Sequence, residues 1–102
     1  MSFIPKVLII AGSDSGGGAG IQADIKTTSY FNGYAMTAIT AITAQNTIGV
    51  QSIYPLPKEI VMEQINSITT DLSPDIVKIG MFADLDIIES VSYTQLTLPT
   101  SY

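Results

Sequence analysis

The chain contains no cysteine and no histidine, and its four cationic residues are all lysines. Without cysteine there is no disulfide framework, no thiolate nucleophile and no Cys-based zinc site. Without histidine there is no imidazole base and no Ser-His-Asp triad. Any chemistry must therefore use carboxylates, hydroxyls, amides, lysine or the backbone. Long apolar runs are also missing: Gly, Ser, Asp, Thr and Lys interrupt every stretch before it reaches the roughly 18 to 20 residues that span a bilayer. The opening "MSFIPKVLII" runs straight into a glycine loop without a signal-peptide cleavage pattern, which reads as a cytoplasmic protein.

What is present fits a folded domain. A chain of 102 residues with 46% hydrophobic and 13% charged residues has the composition of one globular core. The net charge of −5 repels phosphodiester backbones and anionic lipid surfaces, so neither nucleic acid nor a membrane is an expected partner.

The apolar pattern alternates between two kinds of segment. "KVLIIAG" (6–12) is a continuous apolar run closed by turn residues, as in a strand buried on both faces of a parallel sheet. From Ala19 to Phe31, Ile21, Ile25, Thr28 and Phe31 recur at helical spacing, and Asn32-Gly33 ends the helix. "AMTAITAITAQ" (35–45) suits a helix by its alanines and a strand by its β-branched residues; the flanking turns favour one buried strand. "VQSIYPL" (50–56) reads as an extended segment or flap, because Pro55 and Pro57 bar it from the middle of a sheet. A second helix is expected from Pro57 or Lys58 to Asp71, a strand over 75–80, and a third helix beginning over 83–91. Strand, helix, strand, helix, strand, helix is the rhythm of a βαβ sheet, hence an α/β fold. After Glu89 no charged residue follows, and "SVSYTQLTLPTSY" breaks the helical pattern, so the domain is expected to be interrupted near residue 91.

The loop "GSDSGGGAGIQAD" admits three readings. A phosphate-binding Walker loop needs a Lys after its last glycine, and none is there. "GAGIQA" satisfies a dinucleotide fingerprint, but the ribose-binding acid expected about 20 residues later is missing, since Glu59 is the next acid after Asp24. There remains a glycine loop at a helix N-terminus that approaches a polar ligand closely, with Asp24 beside it as an acceptor. The plainer alternative is a tight turn whose glycines serve only the chain path, with Asp24 favourable early in a helix. Two more strand ends supply polar groups: Gln45, Asn46 and Thr47 after the second strand, and Gly80 and Met81 after "DIVKI". Such residues are commonly turn formers or core, yet three strand ends on one edge of a sheet make a pocket.

"AGSDSGGGAGIQADIKT", "TAITAQNTIGVQSIYPLP" and "DIVKIGMFAD", in that order and spacing, closely resemble the N-terminal part of the hydroxymethylpyrimidine/phosphomethylpyrimidine kinases of thiamine biosynthesis. The resemblance covers about residues 5 to 91. It implies a three-layer ribokinase-like (Rossmann-like) parallel sheet with flanking helices, here truncated. It also implies ATP-dependent phosphorylation of 4-amino-5-hydroxymethyl-2-methylpyrimidine and then of its monophosphate, with Mg²⁺, and a homodimer in full-length relatives. Carried over residue by residue, the pyrimidine pocket uses the Gly12 loop, Asp24, Gln45 and Met81. Gly18 and Gly20 are expected to allow close backbone approach where the loop enters the first helix. The Gln45 amide can bond the edge of an aminopyrimidine.

The family's nucleotide site, anion hole and catalytic residue belong to a C-terminal half that this sequence lacks, so no catalytic residue and no metal ligand is assigned. Four lysines and no arginine offer little to a transferring phosphoryl group. Residues 1–91 are read as the N-terminal part of a kinase domain and 92–102 as an unrelated or poorly ordered tail. The leading reading is the substrate-binding half of a pyrimidine kinase, inactive alone. The alternatives are a non-catalytic aminopyrimidine-binding module and a structural fragment with exposed sheet edges.

Overall fold

In the computed structural model, which describes residues 3–80 together with Asp86 and Glu89, the apolar run near the start forms strand β1 (Lys6–Ala11). Helix α1 (Gly20–Tyr30), strands β2 (Tyr34–Ile39), β3 (Ala41–Gln45) and β4 (Val50–Pro55), helix α2 (Lys58–Thr69) and strand β5 (Ile76–Ile79) follow. Strand β1 lies at the centre of a parallel sheet of order β2-β1-β5. Its lack of alternation is explained by burial on both faces: Leu8 and Ile10 point to one side, Ile9 and Ala11 to the other.

Each face is covered by one helix. On the first, α2 packs Val61 and Ile65 against Leu8, Ile10, Met36, Ala38 and Val77. On the second, α1 packs Ile21 and Ile25 against Ile9 and Ala11. The result is a three-layer α/β/α arrangement, in which each fully buried aliphatic side chain contributes about 1.5–3 kcal/mol of apolar transfer. From β1 the chain passes through α1 to β2 on one side, then returns through α2 to β5 on the other. The sheet therefore reverses its winding beside β1, and a crevice opens at the carboxyl ends of β1 and β5.

The segment 35–45 is not one strand. It breaks at Thr40 into β2, which stays in the parallel sheet, and β3, which leaves it to pair antiparallel with β4. The cause is a set of bonds made by residues distant in sequence. The Gln64 side chain grips Ile39 at both ends, accepting from its N–H at 2.9 Å and donating to its carbonyl at 3.0 Å. Thr40 N–H then donates to the Ala11 carbonyl, and the Thr40 carbonyl accepts from Leu56 N–H, both at 2.9 Å. Strand β4 is exposed throughout, in keeping with its prolines and with a flap outside the sheet.

Two details of α1 also differ from expectation. The helix begins at Gly20, so Asp24 lies beyond its first turn, where the macrodipole offers it little. Phe31 does not join the buried stripe: it is 73% exposed and meets the Tyr30 ring edge to face. The helix ends as read, with Asn32 at φ 64° and Gly33 after it. Of the third helix, Asp86 and Glu89 are helical; its other residues, and the tail 92–102, lie outside the described residues. Among the described residues no helix is long and apolar enough to cross a membrane.

Candidate functional site

The glycine loop is organised by a residue that the sequence reading passed over. Asp14 is buried, and its carboxylate accepts three backbone N–H groups: Gly16 at 2.7 Å on Oδ1, Gly18 at 2.9 Å and Ala19 at 2.8 Å on Oδ2. A carboxylate held by several amides is a strong, charge-assisted arrangement that substitutes for an N-cap side chain, which Ala19 cannot supply. Gln22 reaches back from α1 to accept from Asp14 N–H at 2.7 Å and to donate to the Ser13 hydroxyl at 2.9 Å. Lys26 closes the outer side by donating to the Gly17 carbonyl at 2.8 Å.

The two loop glycines expected to matter are not equivalent. Gly20 has φ +58°, and a Cβ there would lie 2.4 Å from the Gly12 carbonyl oxygen. A side chain is excluded by both strain and space. Gly18 has no such backbone conformation, and a Cβ would make only an ordinary 3.9 Å contact with Asp14 Oδ2. Close approach is therefore a property of Gly20 and Gly12, whose carbonyl accepts the Ile21 N–H at 2.9 Å.

From the other side, β3 brings Gln45 against this loop. The Ser15 hydroxyl donates to the Gln45 carbonyl at 2.6 Å and lies 2.7 Å from the Gln45 backbone nitrogen, so the main chain there is fixed. Thr43 places its hydroxyl 2.7 Å from the Ser13 carbonyl and 3.2 Å from Gln45 Oε1. The Gln45 side-chain nitrogen keeps both its hydrogens free of any partner among the described residues.

These elements enclose a cleft of about 320 Å³ lined by Gly12, Gly20, Asp24 and Gln45, together with Asp14 and Lys78. Lys78 stands on β5 between Val77 and Ile79 and pairs with Asp24 of α1; their side chains are 38% and 16% exposed. The structure thus brings Gly12, Gly20, Asp24 and Gln45 together, leaves Gly18 off the lining, and does not describe Met81. Asp14 and Lys78 were missed. The signals were a carboxylate among glycines and a lone charge inside an apolar strand, each rarely buried without a partner.

The cleft offers an uncommitted amide, one carboxylate oxygen of Asp24 and backbone edges, a donor and acceptor set for a small neutral heterocycle. A nucleotide's phosphate tail does not fit the loop, because Asp14 already occupies the N–H groups of Gly16, Gly18 and Ala19 and presents like charge. Among the described residues, no group of three or more acidic side chains is placed to hold a metal ion.

Fold and cleft define a doubly wound α/β domain of the ribokinase-like kind. Among solved structures, it superposes with a TM-score of 0.83 at 46% identity on phosphomethylpyrimidine kinase from Clostridium difficile 630, covering 98% of this chain and 43% of that one. Pyridoxal kinase from Staphylococcus aureus in complex with AMP-PCP and pyridoxal matches with a TM-score of 0.86 at 33% identity, covering 99% and 38%. The chain belongs to the phosphomethylpyrimidine kinase family, whose profile matches residues 14–99. A curated relative, the hydroxymethylpyrimidine/phosphomethylpyrimidine kinase of Bacillus subtilis (strain 168), is 56% identical over 89 residues, which is 87% of this chain and 33% of the relative. The chain spans about a third of the length of such relatives.

Proposed function

We propose that this chain is the substrate-binding part of a kinase that phosphorylates 4-amino-5-hydroxymethyl-2-methylpyrimidine, and then its monophosphate, in thiamine biosynthesis. The observation that carries the reading is the cleft at the winding reversal, whose lining combines Gln45, Asp24 and the Gly12 loop. Gln45 bonds the aminopyrimidine edge, Asp24 accepts a proton donor of the ligand, and Gly12 and Gly20 let backbone lie close to the ring. Met81 is assigned to the same pocket by family resemblance. ATP and Mg²⁺ are the co-substrate and metal of the complete enzyme, and their sites belong to sequence beyond this cleft. The setting is cytoplasmic, without nucleic-acid or membrane partners, as the net charge of −5 favours. The complete enzyme is a homodimer. Residues 1–91 are assigned to the kinase part, although the family profile runs on to residue 99, and removal of 92–102 is expected to leave the melting temperature unchanged.

A second reading is favoured by one observation, that the loop amides are already taken by Asp14: the chain holds an aminopyrimidine without phosphorylating it. Titration calorimetry with the hydroxymethylpyrimidine, followed by incubation with labelled ATP and Mg²⁺ of this chain and of the chain extended with the C-terminal part of a full-length relative, separates the two: transfer by the extended chain supports the first reading, and binding without transfer by either supports the second. Saturable binding with no transfer is the outcome expected of this chain. Absence of binding at millimolar ligand overturns both readings, and transfer at the rate of a full-length relative overturns the assignment of catalysis to the missing part.

A further inference from the structure

Lys78 is the one cationic side chain among the described residues that line the cleft, and it stands in a strand otherwise made of Ile76, Val77 and Ile79. The pair is only partly withdrawn from water, with Lys78 38% exposed, and ion pairs of that kind add little net stability, so stability alone does not account for it. Its partner is equally telling. Lys78 engages Asp24 Oδ1, while Oδ2 has no partner among the described residues and remains available to a ligand. The remaining carboxylate of the lining, Asp14, is held by three backbone amides and makes no ion pair with a lysine among the described residues, so Asp24 is the acid whose charge Lys78 balances.

We propose that Lys78 is a specificity-determining residue: by pairing with Asp24 it cancels that charge and orients the carboxylate, so that one cleft accepts both a neutral hydroxymethylpyrimidine and its anionic monophosphate. The inference rests on the substrate reading above and deepens it. It does not depend on which end of the cleft the phosphate takes. Asp24 and Lys78 both line this one cleft, and the Debye length is about 8 Å at physiological ionic strength, so a ligand bound against them feels both charges. With Lys78 removed, the Asp24 charge would repel the phosphate while leaving the neutral alcohol almost unaffected. With Asp24 neutralised and Lys78 kept, the bias would reverse.

The test is calorimetric titration of the 102-residue chain and its Lys78→Met, Lys78→Arg and Asp24→Asn variants with the alcohol and with its monophosphate, at low and high salt. The quantity read is the ratio of the two dissociation constants. Lys78→Met is expected to disfavour the monophosphate by about tenfold relative to the alcohol, an excess that shrinks at high salt. Lys78→Arg should restore the wild-type ratio to within about twofold, and Asp24→Asn should shift it toward the monophosphate. A merely structural tie between α1 and β5 would weaken both ligands equally, and that result overturns the proposal. If Lys78→Met does not fold, Asp24→Asn decides: an unchanged ratio overturns it. A wild-type chain that binds neither ligand overturns the substrate reading and this inference with it, whereas binding of both with ratios unmoved by either variant overturns this inference alone.

Discussion

Asp14 caps α1 from five residues outside it: its Oδ2 accepts the Ala19 N–H at 2.8 Å and so anchors the helix entrance to the end of β1. The same oxygen takes Gly18 N–H, and Oδ1 takes Gly16 N–H, so the loop is wound around one carboxylate. A loop with this many glycines would otherwise have many conformations to lose on folding. Fixing it in advance lowers the ordering cost at the moment a ligand arrives.

Replacing Asp14 with Ala should therefore lower stability by about 1.5–3 kcal/mol, since three backbone amides lose a charged acceptor. Asp14→Asn should recover little, because its amide group would turn hydrogens toward at least one donor. Urea denaturation of the two variants checks both statements; a loss below about 1 kcal/mol in each would mean that the loop holds its shape without the carboxylate.

The glycines give a paired prediction. Gly20→Ala should cost about 2 kcal/mol or more, from the left-handed backbone and the clash with the Gly12 carbonyl. Gly18→Ala should stay within about 0.5 kcal/mol, as an ordinary exposed substitution. Thermal melts of the two variants side by side test the contrast, which a uniform requirement for glycine would erase.

Much of the fold was legible because it rests on local pattern. "KVLIIAG" has no alternation and is therefore doubly buried; Asn32-Gly33 supplies the left-handed residue that ends α1. The break at Thr40 was not legible. "TAITAIT" is uniform in propensity, and the turn is imposed by Gln64 and Ala11, which are distant in sequence. Gln45 and Asp24 could be read from motif order, whereas the Lys78 pairing joins positions 54 residues apart that no local window contains. Asp14 was hidden by its neighbours: among serines and glycines an Asp looks like ordinary turn chemistry.

In the cleft, Gln45→Leu should weaken binding of the hydroxymethylpyrimidine by about 1–3 kcal/mol, by leaving polar ligand groups unpaired. Its backbone is held by Ser15, so the change should leave the loop in place. Calorimetry gives the affinity and circular dichroism the fold; full affinity in the variant would remove Gln45 from the site.

Thr40 carries a buried hydroxyl with no hydrogen-bond partner among the described residues. Thr40→Val keeps the shape and removes the unsatisfied oxygen, and should stabilise the chain by about 1 kcal/mol. A decrease in melting temperature would show that the hydroxyl has a partner after all.

The position of β1 between β2 and β5 sets an order of assembly. Lys6 pairs with Tyr34 across 28 residues, so β1, α1 and β2 can dock as soon as that much chain has left the ribosome. The other edge of β1 must wait for a strand that begins at Ile76, and the bond between Lys6 N–H and the Asp75 carboxylate closes a separation of 69 residues. During synthesis this strand, the most apolar among the described residues, therefore stands with one side unpaired for roughly 40 residues' worth of translation, on the order of a few seconds at about 5–20 residues per second. That interval, rather than the finished fold, is when this protein is most exposed to mispairing with another chain.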